Sequence, residues 1–307
     1  MASFISYRLA HSVLVAFGVL LLVSLMIHLV PGDPVQLMVG DAPVSAEQVQ
    51  QIRKSLGLDR PLLLQLAGDA GRFARGDLGR SLRTGRPIAN YLGRAMPATL
   101  SLAVAAMAFG IALGVPVGIV AALQRGRWLD ALGTAFAVVG ISLPSFWTGI
   151  LFIVLFAVQL GWFPTSGQGS LRALVLPALT LGWYPAGAVA RLLRTSMLEV
   201  LHKEYVNVAR AKGLRNGVVV VRHALRNALL PTVTLGTVQF GALLSGAIVT
   251  ETVFARDGLG RLVVDGILQR DFPVVQGVVL VIAMIYTFVN LSTDLMYAWL
   301  DPRIRYR

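Results

Sequence analysis

Long apolar stretches alternate with polar connections along most of this chain. A helix needs about 20 consecutive apolar residues to cross the hydrocarbon core of a bilayer. Stretches of that kind predict spans at 9–30, 98–123, 132–160, 174–193, 228–250 and 274–300. The pattern therefore predicts an all-α polytopic membrane protein with six transmembrane helices.

The third stretch contains the segment SLPSFWTG, with Pro144 near its middle. Proline removes a backbone donor, but in a membrane the neighbouring helices can satisfy the freed groups. One kinked span over 132–160 is the first interpretation. Two short re-entrant halves are the alternative.

The connections divide the chain into three parts. Residues 1–30 hold the N-terminus and the first span, because that apolar run is too long for a signal peptide and no A-x-A cleavage site follows it. Residues 31–97 form an extracytoplasmic segment, and residues 98–307 form a core with five spans. In the middle part, Ser45 and Gln48 have the spacing of a helix capping box.

Two further connections lie within the core. Residues 191–229 form a polar, basic loop. Residues 251–273 form an outer connection whose glycines and apolar periodicity predict a short helix. That helix is expected either to lie at the membrane surface or to fold back into the bundle.

Charge predicts the orientation. Only 14% of the 307 residues are charged, against about 25% in soluble domains, yet the formal net charge is +12. In membrane proteins, basic residues concentrate on the cytoplasmic side. An N-in, C-in orientation places the basic 191–229 loop in the cytoplasm and leaves few cations in the short outer connections, namely Arg172, Arg256, Arg261 and Arg270. No aromatic-basic module accompanies the charge, so the sequence does not indicate nucleic-acid binding.

The motifs of several chemistries are missing. Cysteine is absent and the four histidines are scattered, so no metal site is expected. No G-x-x-x-x-G-K-[ST] loop occurs, so the chain is not expected to bind ATP or another cofactor in that way. No span pairs a serine nucleophile with a histidine base, and no catalytic residue is predicted.

Intramembrane acids mark ion-coupled carriers. Asp294 is the one candidate here, and it lies four residues after Asn290, on the same helix face. It is interpreted either as an ion site or as a structural partner of a loop arginine.

The 191–229 loop contains the segment EYVNVARAKGLRNG, which predicts a helix followed by a turn. A helix is predicted over 196–212, with an apolar stripe of Met197, Leu201, Tyr205, Val208 and Ala209. Gly213 should stop it, and Arg215-Asn216-Gly217 should form a turn. The following VVVVRHALRNALLP reads as a second helix, with a strand-like stretch across the valines as the alternative. Small residues at the tip of a stiff helix favour docking of another protein over simple attachment to anionic lipid.

Ten motifs then carry a resemblance that covers nearly the whole chain. In order they are PGDP, LGLDRP, GDLGRS, PATLSLA, SLPSFWTG, FPTSG, ARAKGL, ETVF…GLGRL, RDFP and DPRIR. Together they resemble the permease subunits of ABC importers, in the dipeptide, oligopeptide and nickel branch, and most of all the first of the two permease subunits. The 191–229 loop, with its two predicted helices, resembles the EAA coupling loop of that family. It departs from the general consensus, because Leu230-Pro231 come later than expected.

The resemblance implies a non-catalytic subunit of a prokaryotic inner membrane. Expected partners are a second permease chain, two ATPase subunits or one fused ATPase, which would hold ATP and Mg²⁺, an extracytoplasmic peptide-binding protein and the lipid bilayer. A peptide is the expected substrate, and nickel chelates, glutathione and haem are alternatives. A self-sufficient carrier or channel is the alternative of a different class.

The resemblance also implies residue roles. The expected contacts with the ATPase are Lys203, Glu204, Tyr205, Ala209, Arg210, Ala211, Lys212, Gly213, Leu214, Arg215 and Asn216. The candidates for an outer gate or binding-protein contact are Glu251, Asp257, Gly258, Leu259, Gly260, Arg261, Arg270 and Asp271. An ordinary surface helix with charge pairs is the alternative for this second set.

Overall fold

The computed structural model describes residues 13–25, 35–36, 45–55, 59 and 61–300. These residues are mainly helical, and their β pairing is an isolated bridge between Arg80 and Pro87. The chain divides into two compact units. We call Met1–Ala98 with Asp257–Arg307 the terminal unit, and Thr99–Arg256 the central unit.

The helices of the described residues are numbered in chain order. The first six are α1 (Val13–Leu25), α2 (Ala46–Ser55), α3 (Leu62–Ala74), α4 (Ile88–Leu123), α5 (Trp128–Ser142) and α6 (Ser145–Phe152, continued as a π-helix over Ile153–Gln159). The next two are α7 (Leu171–Leu201) and α8 (Glu204–Ala211). Helix α9 starts at Asn216–Val218, has π geometry over Val219–Leu225 and continues over Arg226–Val253. The last two are α10 (Leu259–Leu268) and α11 (Phe272–Leu300).

Four of these helices are long and apolar enough to cross a membrane: α4, α7, α9 and α11. They contain the predicted spans 98–123, 174–193, 228–250 and 274–300. Helices α5 and α6 add a fifth crossing if the bent pair is one span. Helix α1 coincides with the described part of the predicted span 9–30. The count of six spans and the N-in orientation stay predictions.

The prediction of one kinked helix over 132–160 is wrong. Helix α5 ends at Ser142 and α6 begins at Ser145, with 110° between them. Leu143 and Pro144 both have extended backbone, with ψ of 129° and 137°. Proline disfavours the helical region for the residue before it, so the chain leaves the helix at Leu143. The Pro144 carbonyl then accepts the Thr148 backbone N–H and the Thr148 hydroxyl, each at 3.1 Å, which starts α6.

Helix α7 lies at the centre of the central unit. In its most apolar window 67% of the residues are buried, against 28–33% in the corresponding windows of the other long helices. Gly110, Gly114 and Gly118 are spaced four apart and face it from α4. A Cβ on Gly114 would lie 2.6 Å from the carbonyl oxygen of Ala186. Close approach through small residues is how membrane helices gain packing energy, because lipid tails are as apolar as their side chains.

The terminal unit has a separate core. The first turns of α4 contribute Ile88 and Leu92, and α11 contributes Val278, each at most 5% exposed. Helix α10 adds Leu259 and Val263 to the same cluster. The helix predicted in the 251–273 connection thus packs with one face onto its own unit.

The predicted capping box at the start of α2 is confirmed. The Ser45 N–H donates to Gln48 Oε1 at 3.0 Å, and the Gln48 N–H donates to Ser45 Oγ at 3.3 Å. The predicted segments PGDP and DPRIR lie outside the described residues.

The close approach of α4 and α7 leads to a first prediction. Gly114→Ala should lower the free energy of unfolding by about 1–3 kcal/mol, because a backbone oxygen occupies the space that the methyl group needs. Thermal unfolding of the purified protein in detergent measures this. Gly93→Ala is the matched control, since Gly93 lies on the same helix and has open space around it. Equal melting temperatures for the two variants would show that the α4–α7 contact is not close-packed.

Candidate functional site

The 191–229 hairpin begins at the end of α7 and consists of two helical arms. The prediction of one continuous helix over 196–212 is wrong, because α7 ends at Leu201 and α8 begins at Glu204. The intervening Lys203 has extended backbone, with φ −72° and ψ 145°. This break changes the helical phase, so the side chains of α8 do not continue the stripe of α7.

The predicted stop at Gly213 is confirmed. Gly213 has φ of +78°, which glycine adopts without steric penalty. Its N–H donates to the Arg210 carbonyl at 2.9 Å, and the Leu214 N–H donates to the Ala209 carbonyl at 3.4 Å. This pair of bonds is a Schellman motif, and it satisfies two carbonyl groups at the end of α8. The tip of the hairpin is therefore a defined turn.

The second arm begins earlier than predicted. Asn216 already starts α9, so the turn covers 212–215 instead of 215–217. The valine run is helical, with π geometry over Val219–Leu225, which excludes the strand-like alternative.

One side of α8 packs against the chain itself. Val206, Ala209 and Val219 form a buried cluster, with exposed fractions of 0%, 6% and 0%. In addition, Asn227 Nδ2 donates to the Tyr205 hydroxyl at 2.9 Å and ties α8 to α9. The predicted contact of Ala209 with an ATPase stays a prediction, and the structure places this residue on the inner face of the hairpin.

The other side of α8 and the tip are exposed. Tyr205 and Val208, which were predicted to share an apolar stripe, are 43% and 53% exposed, and Leu214 is 41% exposed. Ten of the eleven predicted coupling residues are exposed: Lys203, Glu204, Tyr205, Arg210, Ala211, Lys212, Gly213, Leu214, Arg215 and Asn216. We call this exposed surface of residues 203–216 the tip face. It combines apolar side chains with basic ones, which suits contact with a protein better than contact with water alone.

An ion pair fixes the start of α5 to α7 and was not found by sequence reasoning. Arg194 Nε and Nη2 donate to the two carboxylate oxygens of Asp130 at 2.5 and 2.9 Å. Asp130 also accepts the Gly126 N–H at 3.0 Å. The signal in the sequence is a lone acid at the edge of an apolar helix, which requires a partner. The pair holds α7 only seven residues before the helix ends.

The residues predicted for an outer gate do not form one exposed patch. Asp271 is 4% exposed, and its carboxylate accepts the Ser81 hydroxyl at 2.5 Å and the Leu82 N–H at 3.2 Å. It therefore fastens the loop after GDLG to the start of α11. Leu259 is buried in the same unit, as are Gly258 and Gly260.

The remaining members of that set differ in exposure. Glu251, in the central unit, is fully buried and accepts the Thr99 hydroxyl at 2.5 Å. Asp257 is exposed and pairs with Arg261 at 3.2 Å, and Arg270 is exposed as well. In this set Asp257 and Arg270 are exposed and Arg261 is half-buried, and the role of the set stays a prediction.

Asn290 and Asp294 both lie on α11, and Asn290 is half-buried. The side chain of Asp294 lies outside the described part of the structure, so both interpretations of this acid stay open.

Comparison with protein-family models shows to which family the chain belongs. Residues 114–306 match the family described as binding-protein-dependent transport system inner membrane component. Residues 1–103 match the N-terminal model of the same kind of component. The chain belongs to this family. It is an inner-membrane permease subunit with several apolar helices.

The relatives that match this permease over its whole length include the following two. A Brucella abortus (strain 2308) protein, whose name describes a putative peptide transport system permease, is 41% identical over 314 residues and is covered completely. The glutathione transport system permease protein GsiC of Escherichia coli (strain K12) is 41% identical over 307 residues and is also covered completely. The resemblance to the peptide branch of the ABC importer permeases is thereby confirmed.

Solved structures support the fold. The MetNI methionine ABC transporter, in an inward-facing conformation, matches with a TM-score of 0.59 at 21% identity, over 69% of this permease and 96% of that chain. An amino acid ABC transporter matches with a TM-score of 0.52 at 16% identity, over 69% and 93% of the two chains. The permease therefore has the fold of an ABC importer membrane subunit.

The ion pair leads to a second prediction. Asp130→Asn should lower the free energy of unfolding by about 1–3 kcal/mol, because it removes a charge-assisted hydrogen-bonded pair that is mostly shielded from solvent. Asp257→Asn is the control, because an exposed i,i+4 pair contributes about 0.2–1 kcal/mol or less. Thermal unfolding in detergent compares the two. A larger loss in the control would contradict a structural role for Asp130.

Proposed function

We propose that this permease forms half of the translocation pathway of an ATP-driven importer for di- and oligopeptides. Its 191–229 hairpin carries the motion of the ATPase to the membrane helices. The observation that carries this proposal is the tip face, an exposed and defined turn held rigidly between two long apolar helices.

Three sets of contacts hold the 191–229 hairpin rigidly to α7 and α9. Met197 at the end of α7 is fully buried in a cluster with Ala224 and Ala228 of α9. The Val206–Ala209–Val219 cluster then fixes α8, and the hydrogen bond between Asn227 and Tyr205 secures it from the second arm. A force applied to the tip is therefore transmitted to α7 and α9 and is not absorbed by a loose loop.

The conformational change of the permease would be driven by a shift in the populations of its conformations. An ATPase can change the conformation of the permease only by binding one conformation better than another. ATP binding draws the ATPases together, and a rigid contact converts this movement into rotation of the helices. Apolar Tyr205, Val208 and Leu214 would supply the buried part of the contact, and Arg210 and Lys212 would supply charged contacts at its edge or hold the tip at anionic lipid.

The proposed partners follow from membership in a binding-protein-dependent system. They are a second, similar permease chain, two ABC ATPases or one fused ATPase, and an extracytoplasmic peptide-binding protein. The chain lacks the phosphate-binding motif of P-loop ATPases, so ATP and Mg²⁺ would be held by the ATPase partners and this subunit would be non-catalytic. An N-in orientation would place the tip face in the cytoplasm, where the ATPases are.

The relatives' names support a peptide substrate. One describes peptide transport and the other glutathione transport, at the same 41% identity. Glutathione, itself a small peptide, is thus the second candidate. Nickel chelates and haem have no comparable support here.

A third prediction tests whether the hairpin carries the motion of the ATPase to the membrane helices. Gly213→Val should greatly reduce peptide uptake per ATP hydrolysed, because a β-branched residue is strained at φ of +78° and the Schellman turn would rearrange. The permease should still reach the membrane in normal amounts. Uptake and ATP hydrolysis by the complete importer in proteoliposomes measure the ratio.

Two variants make this test specific. Gly217→Val introduces the same side chain four residues later, in open space and without a positive φ, and should leave coupling intact. Gly213→Asn should retain much of the coupling, since asparagine tolerates the left-handed region. Wild-type uptake per ATP hydrolysed in Gly213→Val would refute the proposal that the hairpin carries the motion of the ATPase.

A further inference from the structure

A shallow groove of about 560 Å³ lies along the start of α4, in the terminal unit. It is lined by Arg86, Ala89, Asn90, Tyr91, Gly93 and Arg94. Asn90 and Arg94 are four residues apart and share one face of the helix, and Arg86 precedes the helix at the same spacing. Two arginines therefore bracket the groove, with an amide side chain between them.

The groove lies at the level where α11 enters the membrane. The segment Phe272–Ser292 is long and apolar enough to span a bilayer, so Asp271 stands directly before a span. The hydrogen bonds that Asp271 accepts from the loop before α4 hold that loop at this point. A Cβ on Gly277, in the second turn of α11, would lie 3.0 Å from Ile88, the first residue of α4. The first turns of α4 thus lie beside the first turns of a span, at the depth of the lipid headgroups.

Exposed arginines dominate the surface around the groove. Residues 79–96 include no aspartate or glutamate, and their arginines are all exposed: Arg80, Arg83, Arg86 and Arg94. The first two donate to backbone carbonyls at 3.2 and 2.8 Å and thereby fix the loop. The ion pairs of the described residues do not include Arg86 or Arg94. The charge of these two side chains is thus available to a ligand.

Small residues lie between the polar ones in the groove. Ala89 and Gly93 are both exposed, and a Cβ on Gly93 would meet no atom within 4 Å. A ligand can therefore approach the backbone of α4 closely. Tyr91 is held in place by a hydrogen bond of 2.6 Å between its hydroxyl and that of Thr84. Tyrosine is enriched where a protein crosses the interface between membrane and water.

We propose that this groove binds the headgroup of an anionic phospholipid. The lipid phosphate accepts hydrogen bonds from the guanidinium groups of Arg86 and Arg94, and the Asn90 amide donates to a further headgroup oxygen. Arginine suits this ligand because its planar group donates two parallel hydrogen bonds to a phosphate. The inference goes beyond the proposed function and does not rest on it, because it requires only that the permease lies in a bilayer.

The depth and the charge of the groove favour a lipid over a soluble ligand. Beside the first turns of a span, the phosphates of the bilayer are the most concentrated anions, and basic side chains attract anionic lipids over a short range. In the predicted N-in orientation the groove lies outside, within about 20 residues of a span, where cations are normally few. An anionic headgroup accounts for the arginines in either leaflet.

Thiol protection tests occupancy, since the chain contains no cysteine. Ala89→Cys places a single thiol in the groove, and Ala74→Cys places one at an exposed position of the same unit outside it. The full-length permease is reconstituted in nanodiscs of phosphatidylcholine, with or without phosphatidylglycerol, and treated with N-ethylmaleimide. Phosphatidylglycerol should slow labelling of Ala89→Cys relative to Ala74→Cys by about fivefold, as expected for a lipid at several times its Kd. The Ala74→Cys rate corrects for the effect of surface potential on the thiol.

Removal of the two arginines tests the contacts with the phosphate. In the Ala89→Cys chain, Arg86→Gln together with Arg94→Gln should abolish the protection by phosphatidylglycerol, because the charge-assisted hydrogen bonds are lost. Arg75→Gln together with Arg172→Gln removes the same charge from exposed positions outside the groove. This matched control should keep the full protection.

Three results would overturn the lipid site. The first is equal labelling of Ala89→Cys with and without phosphatidylglycerol. The second is equal protection in both double variants, which would show a general effect of membrane charge. The third is protection by inorganic phosphate in pure phosphatidylcholine, because the ligand would then be a soluble anion. Peptide uptake is not measured in this experiment, so its result leaves the proposed function unaffected.

Discussion

Helix α7 can lie against α4 and α5 only because glycines leave no side chain between the helices. Gly114 and Gly118 of α4 meet the backbone of α7 directly, and Gly140 of α5 lies against Gly187, where an added Cβ would come within 3.1 Å of its Cα. In a bilayer, helices gain little from burying apolar side chains, so contact of this closeness is what holds the bundle together. The other functional features of the central unit are built on α7.

The contacts that α7 makes follow one another along its length, from the break at Pro144 to the hairpin. Thr180 and Trp183 lie near its middle, beside the break at Pro144. Arg194 then joins α7 to the start of α5, and Met197 buries its end against α9. The hairpin follows within a few residues. Since α7 runs from the break at Pro144 to the base of the hairpin, the proposed movement of the tip face would reach that break without a separate relay.

Local sequence signals predicted the features that depend on nearby residues. Apolar runs located the four long helices, Gly213 marked the end of α8, and Ser45 with Gln48 marked the start of α2. Each of these results from backbone preferences within a few residues. The break at His202–Lys203 has no glycine or proline to announce it, so the inward orientation of Ala209 was missed.

Local sequence signals could not predict contacts between residues that are far apart in the chain. Ser81 and Asp271 are 190 positions apart, and Asp130 and Arg194 are 64 apart. Their charges are visible in the sequence, but their pairing depends on how whole helices pack. Likewise, Pro144 permits either a kink or a break, and the local sequence does not distinguish between them.

The central claim is that the tip face touches the ATPase, and cross-linking measures that contact most directly. Leu214→Cys provides a single exposed thiol at the tip, and Leu171→Cys, at a residue that is 84% exposed at the start of α7, is the control. With a short thiol-to-amine cross-linker in the assembled importer, Leu214→Cys should link to the ATPase, with a yield that changes on ATP binding, and Leu171→Cys should not. Absence of a cross-link from Leu214→Cys in complexes that still transport peptide would contradict the account.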